Sequence, residues 1–310
     1  MTTPWTLVGA PLDSSGRDRG DARGVAALRE HGLAEALGAR DGGDLDVAIT
    51  DPSRDVATGV VGYRQVEAAT RVLRAAVAEL LGAGERPLVV GGDCTLVPGA
   101  LAGARDHAGR LGLAFVDGHV DALDGRSSPT GEAADMDLAI VTGHGPEALA
   151  GATGGAIIVA PRDVVVVGPR GDAPADVALP RGGAVVEADV LDPAVTLIDA
   201  ETALARGPGE VGAEIARRIA PDGRGAWLHI DLDVLDEDVM PAVSYPQPDG
   251  LEWDDLEELL APLVAMPRLL GADVTCLNPD LDPDGRCAAR AVEVLGRALG
   301  RVRAPAGAGR

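Results

Sequence analysis

The 310-residue chain sets 27 basic against 49 acidic side chains, a net charge of −22, and draws its aromatic content from 3 Trp, 2 Tyr and 1 Phe. That charge repels phosphate backbones and anionic lipid, which excludes nucleic acid and a membrane surface as partners. With no basic-then-apolar leader and no run of about 18 apolar residues, the chain reads as soluble and cytoplasmic.

In chain order, "WTLVGAP" at 5–11 reads as a strand and "GVAALREHGLAEAL" at 24–37 as a helix, followed by a longer helix, "YRQVEAATRVLRAAVAELLGAG", at 63–84. Apolar strands are expected at "PLVVGGD" (87–93), "GLAFVDG" (112–118) and "DVVVVGP" (163–169), with a Gly- and Pro-rich surface loop over 168–183. Then come a strand at "AWLHIDLDV" (226–234) and a helix at "DDLEELLAPLVAM" (254–266), which Pro262 kinks or ends. A strand at "GADVTCLNP" (271–279), a helix at "RAVEVLGRALGR" (290–301) and a mobile tail at 304–310 complete the series. Most of these strands are apolar on both faces, as in a parallel sheet covered by helices on either side. The alternation therefore predicts a three-layer α/β fold with a central parallel sheet, in a single domain over 1–303. Three cysteines, Cys94, Cys276 and Cys287, lack CxxC spacing and read as reduced thiols.

The stretch "FVDGHVDALDG" at 115–125 sets Asp117, His119 and Asp121 at every second position just past an apolar strand. In open α/β sheets ligands collect at the carboxyl ends of strands, and extended alternation would turn the three groups to one side. Two carboxylates and an imidazole there suit a divalent metal; a polar loop with a helix cap is the bland alternative. A second segment, "WLHIDLDVLDED", ends another apolar strand with Asp231 and Asp233 at the same spacing. Four clustered aspartates repel one another and raise one another's pKa, whereas divalent cations neutralise them, so the two clusters together favour metal over a capped surface turn.

These residues resemble the ureohydrolase superfamily, the arginase and agmatinase group. Its GGDH-type, DAHxD and SxDxDxxDP marks find counterparts in "GGDCT" from Gly91, "DGHVD" from Asp117 and "HIDLDVLDED" from His229, and the similarity extends to 7–30 and 271–285. The resemblance implies an arginase-type fold and two Mn ions bridged by a hydroxide. It would place one ion between Cys94, Asp117, Asp121 and Asp231 and the other between His119, Asp117, Asp231 and Asp233. Asp117 and Asp231 would bridge, and Asp121 would accept the remaining proton after water attacks a guanidino-type carbon.

Three positions depart from that pattern. Cys94 stands for the first histidine ligand, and a thiolate favours Zn or Fe over Mn; water on the metal beside a merely buried Cys94 is the alternative. Ala134 falls where arginases carry a proton-shuttling histidine; Glu132, Asp135 and His144 are nearby candidates to replace that acid, each reading more simply as an exposed loop or helix residue. Cys276 replaces the glutamate that pairs with a guanidinium. Together these losses resemble the Nω-hydroxy-L-arginine amidinohydrolase branch, whose substrate arrives neutral and would be split to hydroxyurea and ornithine. Thr130 and Asp172 are further substrate-binding candidates, although Leu123, Gly171 and Ala173 depart from the family's amino-acid-binding residues. A hydrolase of another linear amidine or amide, and a metal-retaining pseudoenzyme with a binding or regulatory role, are the competing readings; the oligomeric state stays open.

Overall fold

The computed structural model describes residues 4–170 and 190–300. The expected loop at 168–183 lies mostly outside them, as do Asp172 and the tail at 304–310. Eight strands are described: β1 (Trp5–Ala10), β2 (Arg40–Asp44), β3 (Arg86–Gly91), β4 (Leu111–Val116), β5 (Val164–Val167), β6 (Thr196–Ile198), β7 (Gly225–Asp231) and β8 (Leu269–Thr275). They form one sheet in the order β2-β1-β3-β8-β7-β4-β5-β6, every pairing parallel. The helices are α1 (Gly24–Glu30), α2 (Leu33–Leu37), α3 (Tyr63–Gly82), α4 (Val97–Ala108), α5 (Asp137–Thr142), α6 (Ala150–Thr153), α7 (Ala200–Arg206), α8 (Pro208–Ile219), α9 (Trp253–Val264) and α10 (Arg286–Gly300).

Strand alternation assigns the two cores. Leu88, Val90, Ala114, Val116, Val165 and Val167 face one apolar cluster, with α1, α2, α8, α9 and α10. Val89, Leu113, Phe115, Val164, Val166 and Trp227 face the other, with α3, α4 and α5. Both faces of the central strands are thus dry, the condition that lets near-continuous Val/Leu runs serve as parallel strands. This is the three-layer α/β architecture expected from the alternation.

The differences are local and have physical causes. The helix expected over 24–37 breaks into α1 and α2 because Gly32 takes a left-handed conformation (φ 85°). Strand β2, "RDGGD", is polar and exposed throughout, so it lacks the apolar pattern by which strands are recognised; it pairs only with β1 at the sheet edge, where exposed charge is tolerated. Pro262 neither breaks nor ends α9 at once, since the helix runs two residues further. Among the described residues no helix is long and apolar enough to cross a membrane.

Candidate metal centre

The central strands β3, β8, β7 and β4 lie side by side, and parallel pairing brings all four carboxyl ends to one edge of the sheet. At the end of β3 the chain must pass tightly under the first loop: a Cβ on Gly92 would lie 1.8 Å from the Leu12 carbonyl oxygen, so only glycine fits. Asp93 then caps a 3-10 turn by accepting the Thr95 N–H, and also takes the Ser14 N–H at 2.5 Å. This double grip delivers the buried Cys94 side chain to the strand-end cluster.

The two-residue spacing at β4 and β7 works differently from the extended alternation expected from sequence. Both strands have ended, or are ending, where the polar groups begin. Asp117 Oδ1 accepts the His119 N–H at 2.6 Å and Asp231 Oδ1 accepts the Asp233 N–H at 2.7 Å, two Asx turns in which a carboxylate fixes the backbone two residues on. Each carboxylate thus commits one oxygen to its own turn and turns the other inward, where Asp231 Oδ2 accepts the Thr275 hydroxyl at 2.9 Å. The Gly118 N–H donates to Asp233 Oδ1 at 3.0 Å, joining the ends of β4 and β7, and a Cβ on Gly118 would collide with the Asp233 carbonyl at 2.6 Å.

Asp121 has a positive φ of 49°, and its carbonyl accepts the Leu138 and Ala139 N–H groups at 3.1 and 3.3 Å, so α5 holds this residue in place. Cys276 likewise has φ 69°, its N–H fixed to the Gly92 carbonyl at 2.7 Å. Two of the four non-glycine residues with positive φ among the described residues therefore lie at this edge, where strained backbone serves to aim side chains.

The inward groups form overlapping sets. Donor atoms of Cys94, Asp117, His229 and Asp231 lie within 4.8 Å of one another, as do those of Asp117, His119 and Asp233, and those of Cys94, Asp121 and Asp137. The sequence-predicted residues Cys94, Asp117, His119, Asp121, Asp231 and Asp233 are thus brought together, with Asp117 common to two sets. Cys276 stands beside them, its sulfur 3.7 Å from that of Cys94. Thr130 spends its hydroxyl within its own loop, donating to Asp135 at 2.6 Å and accepting the Glu132 N–H at 2.9 Å.

The electrostatics are those of a crowded acidic pocket. Burial, then Asp233 and Asp117, push the Asp231 carboxyl up to about 8. Against burial, which opposes charge, Asp233 and Asp117 hold the His119 imidazole well above the ordinary histidine range. Burial raises the Cys94 thiol, which donates to Asp231 Oδ2 at 2.8 Å. Asp117 Oδ2 and both carboxylate oxygens of Asp137 are buried with no well-aligned hydrogen-bond partner. Orphaned acceptors facing one another are costly unless a cation answers them, and the thiol, imidazole and carboxylate donors present fit divalent metal.

Several functional neighbours had no role in the sequence reading. His229 and Asp137 join the sets just described; His229 shares the two-residue phase of Asp231 but lies within an apolar strand, where a histidine reads as core. Arg170 clasps the Asp233 and Leu235 carbonyls at 2.7 Å each and so pins the loop after β7. At the mouth, Tyr245 meets His119 edge-on at 6.5 Å, and Arg19 donates to the Tyr245 hydroxyl at 3.0 Å and to Glu132 at 2.5 Å. Glu132 is accordingly buried rather than exposed as its loop suggested, because the Arg19 guanidinium gives its charge a partner. His144 is surface-exposed, 3.4 Å from Asp192.

A parallel sheet that carries buried carboxylates, imidazoles and a thiol at its carboxyl edge defines an α/β metallohydrolase scaffold. The Arginase family model matches residues 3–300, and the chain belongs to the Arginase family. It is 27% identical to an arginase of Bacillus caldovelox, over 96% of this chain and 98% of that one, and 28% identical to an arginase of Bacillus subtilis, over 97% and 99%. The solved B. caldovelox arginase superposes with a TM-score of 0.86 at 26% identity, covering 97% of this chain and 99% of that one. Proclavaminate amidino hydrolase from Streptomyces clavuligerus shares the fold with a TM-score of 0.70 at 20% identity, covering 96% and 91%. The protein is a ureohydrolase-like, metal-dependent hydrolase of C–N bonds in linear amidines.

Proposed function

We propose that a single catalytic unit over residues 1–303 holds two divalent cations at the strand ends and hydrolyses Nω-hydroxy-L-arginine to hydroxyurea and ornithine. One cation lies between Cys94, Asp117, Asp121 and Asp231. The other lies between His119, Asp117, Asp231 and Asp233, with Asp117 and Asp231 shared. The oxygen-rich second set suits Mn, whereas the thiolate of the first admits Zn or Fe. When bound, such a pair would lower the pKa of a nearby water and neutralise the carboxylates.

The observation that best supports the substrate is the absence of a carboxylate at Cys276, whose thiol sits against Cys94. A guanidinium cation finds no counter-charge from that residue, but a hydroxyguanidine enters neutral and needs none. Water adds to the guanidino carbon, the bond from that carbon to the side-chain nitrogen breaks, and the amine leaves with a proton. Asp121, aimed by the α5 amides that hold its carbonyl, takes the proton released by water and passes it to the departing amine. Ala134 is partly buried against the apolar cluster that includes Cys94 and offers no proton for the amine, while Glu132 is committed to Arg19.

Leaving a buried charge without its partner costs about 3 to 5 kcal/mol, so kcat/KM for the hydroxylated substrate, which enters neutral, should exceed that for L-arginine by about 10² to 10⁴. Steady-state turnover of both by the Mn-loaded protein measures this. Combining Ala134→His with Cys276→Glu should move the preference toward arginine; equal turnover of the two substrates by the unaltered protein defeats the reading.

A further inference from the structure

The ligands proposed above leave His119 as the one imidazole for two cations, yet a second imidazole already faces the cluster. His229 lies on β7, two residues before Asp231 and on the same side of the strand, and is fully buried. Its Nδ1 lies 2.5 Å from Asp273 Oδ1, and Trp227 Nε1 donates to the other oxygen of the same carboxylate at 2.5 Å. Asp273 therefore accepts the hydrogen bond of the Nδ1 N–H and leaves Nε2 to present a lone pair, the outer-partner arrangement that orients metal-bound histidines.

Nε2 is 3.5 Å from Asp117 Oδ2 and 3.9 Å from Cys94 Sγ. The first separation is too long for a sound hydrogen bond. Both are close to what two ligands of one ion require: ordinary metal–ligand lengths at a tetrahedral angle set N···O at about 3.4 Å and N···S at about 3.6 Å. Asp117 Oδ2 is unpartnered there, and Asp137, with both oxygens unpartnered, is grouped with Asp121 and the same Cys94.

We propose that His229 Nε2 joins Cys94, Asp117 and Asp231 as the fourth ligand of the first cation, supplying from β7 the imidazole that Cys94 lacks at the end of β3, while Asp121 and Asp137 face that ion from beside Cys94. The inference rests on the two-cation reading above. It makes the buried position a thiolate–imidazole–carboxylate site that selects Zn, Fe(II) or Co(II), beside an oxygen-rich position that accepts Mn. The competing arrangement is an imidazolium at His229, attracted by Asp273, Asp117 and Asp137, standing in for the first cation.

Loading the intact protein with Co(II) separates these. The expected results are two Co(II) per chain, a thiolate-to-cobalt charge-transfer band that Cys94→Ser abolishes, and two exchangeable imidazole N–H resonances with large paramagnetic shifts, one lost in His119→Asn. His229→Asn should weaken the first cobalt by more than the 10- to 100-fold typical of an outer partner, and Asp273→Asn by about that amount. Two bound cobalts with one shifted imidazole N–H overturn the His229 assignment while sparing the two-cation reading, and that spectrum needs no variant to fold. One cobalt per chain with no thiolate band supports the imidazolium and overturns the proposal; failure to bind any cobalt overturns both.

Discussion

The two halves of the metal cluster are built from different materials. The inner half, Cys94, His229, Asp231 and Asp137, is dry and rests on β7, on the turn after β3, on α5 and on a buried Trp227–Asp273 brace. The outer half, His119, Asp117 and Asp233, sits on loops; the His119 side chain is 19% exposed and borders Tyr245 and Arg19 at the mouth. An enclosed strand-borne site can lose one donor and recruit another from the next strand, because several side chains already point into the same space. A loop-borne site has fewer neighbours to recruit.

The largest effect should come from the carboxylates proposed to belong to both halves. Asp117→Asn or Asp231→Asn is expected to empty both positions, reduce activity by more than about 100-fold, and remove the metal-linked part of stability, about 3 to 4 kcal/mol for each ion when the metal stands at 100 to 1,000 times its Kd. Metal analysis and calorimetry measure both quantities, and retention of one ion would break the idea that the halves share these ligands.

A smaller, one-sided effect should follow Cys94→His. A harder nitrogen donor at the inner half should raise its Mn occupancy several-fold relative to the unaltered protein and leave the outer half as it was. Unchanged Mn occupancy would remove Cys94 from the ligand set. The rate need not follow, since imidazole is larger than a thiol in a packed site.

The smallest expected effect is on Asp21, a buried carboxylate outside both halves. Burial pushes it up to about 6, opposed by the Ser244 hydroxyl that donates at 2.6 Å and reinforced by Asp93 and Asp13. Its folded pKa exceeds the unfolded value of 3.8, so the fold prefers the neutral form. Below about pH 4 both states are protonated and there is no cost; stability falls as pH rises through the window up to about 6, and the full penalty, roughly 2–3 kcal/mol, persists above it. Asp21→Asn should therefore raise Tm by a few degrees at about pH 7.5 and leave it unchanged near pH 4. An equal shift at both pH values would show that packing, not charge, carries the difference.

The apolar runs alone determined the layer order and six of the eight strands described, because a strand buried on both faces must be apolar at consecutive positions. Strands β2 and β6 escaped notice: the first is polar throughout, the second only three residues long. The Asp-rich segments at 117–121 and 231–233 were equally legible, since unneutralised carboxylates seldom gather at strand ends. What the sequence could not decide is which distant groups meet them. His229 looks like a core residue until the sheet sets it 3.9 Å from Cys94, and Asp137 belongs to no motif; it reaches the cluster because the first amides of α5 bond the Asp121 carbonyl. Glu132 changes character for the same reason, its burial made tolerable by Arg19, 113 residues earlier in the chain. Strand type and charge are local properties of a sequence, whereas a donor set is a property of distances, and only the parallel alignment of β3, β8, β7 and β4 brings those distances within reach of one ion.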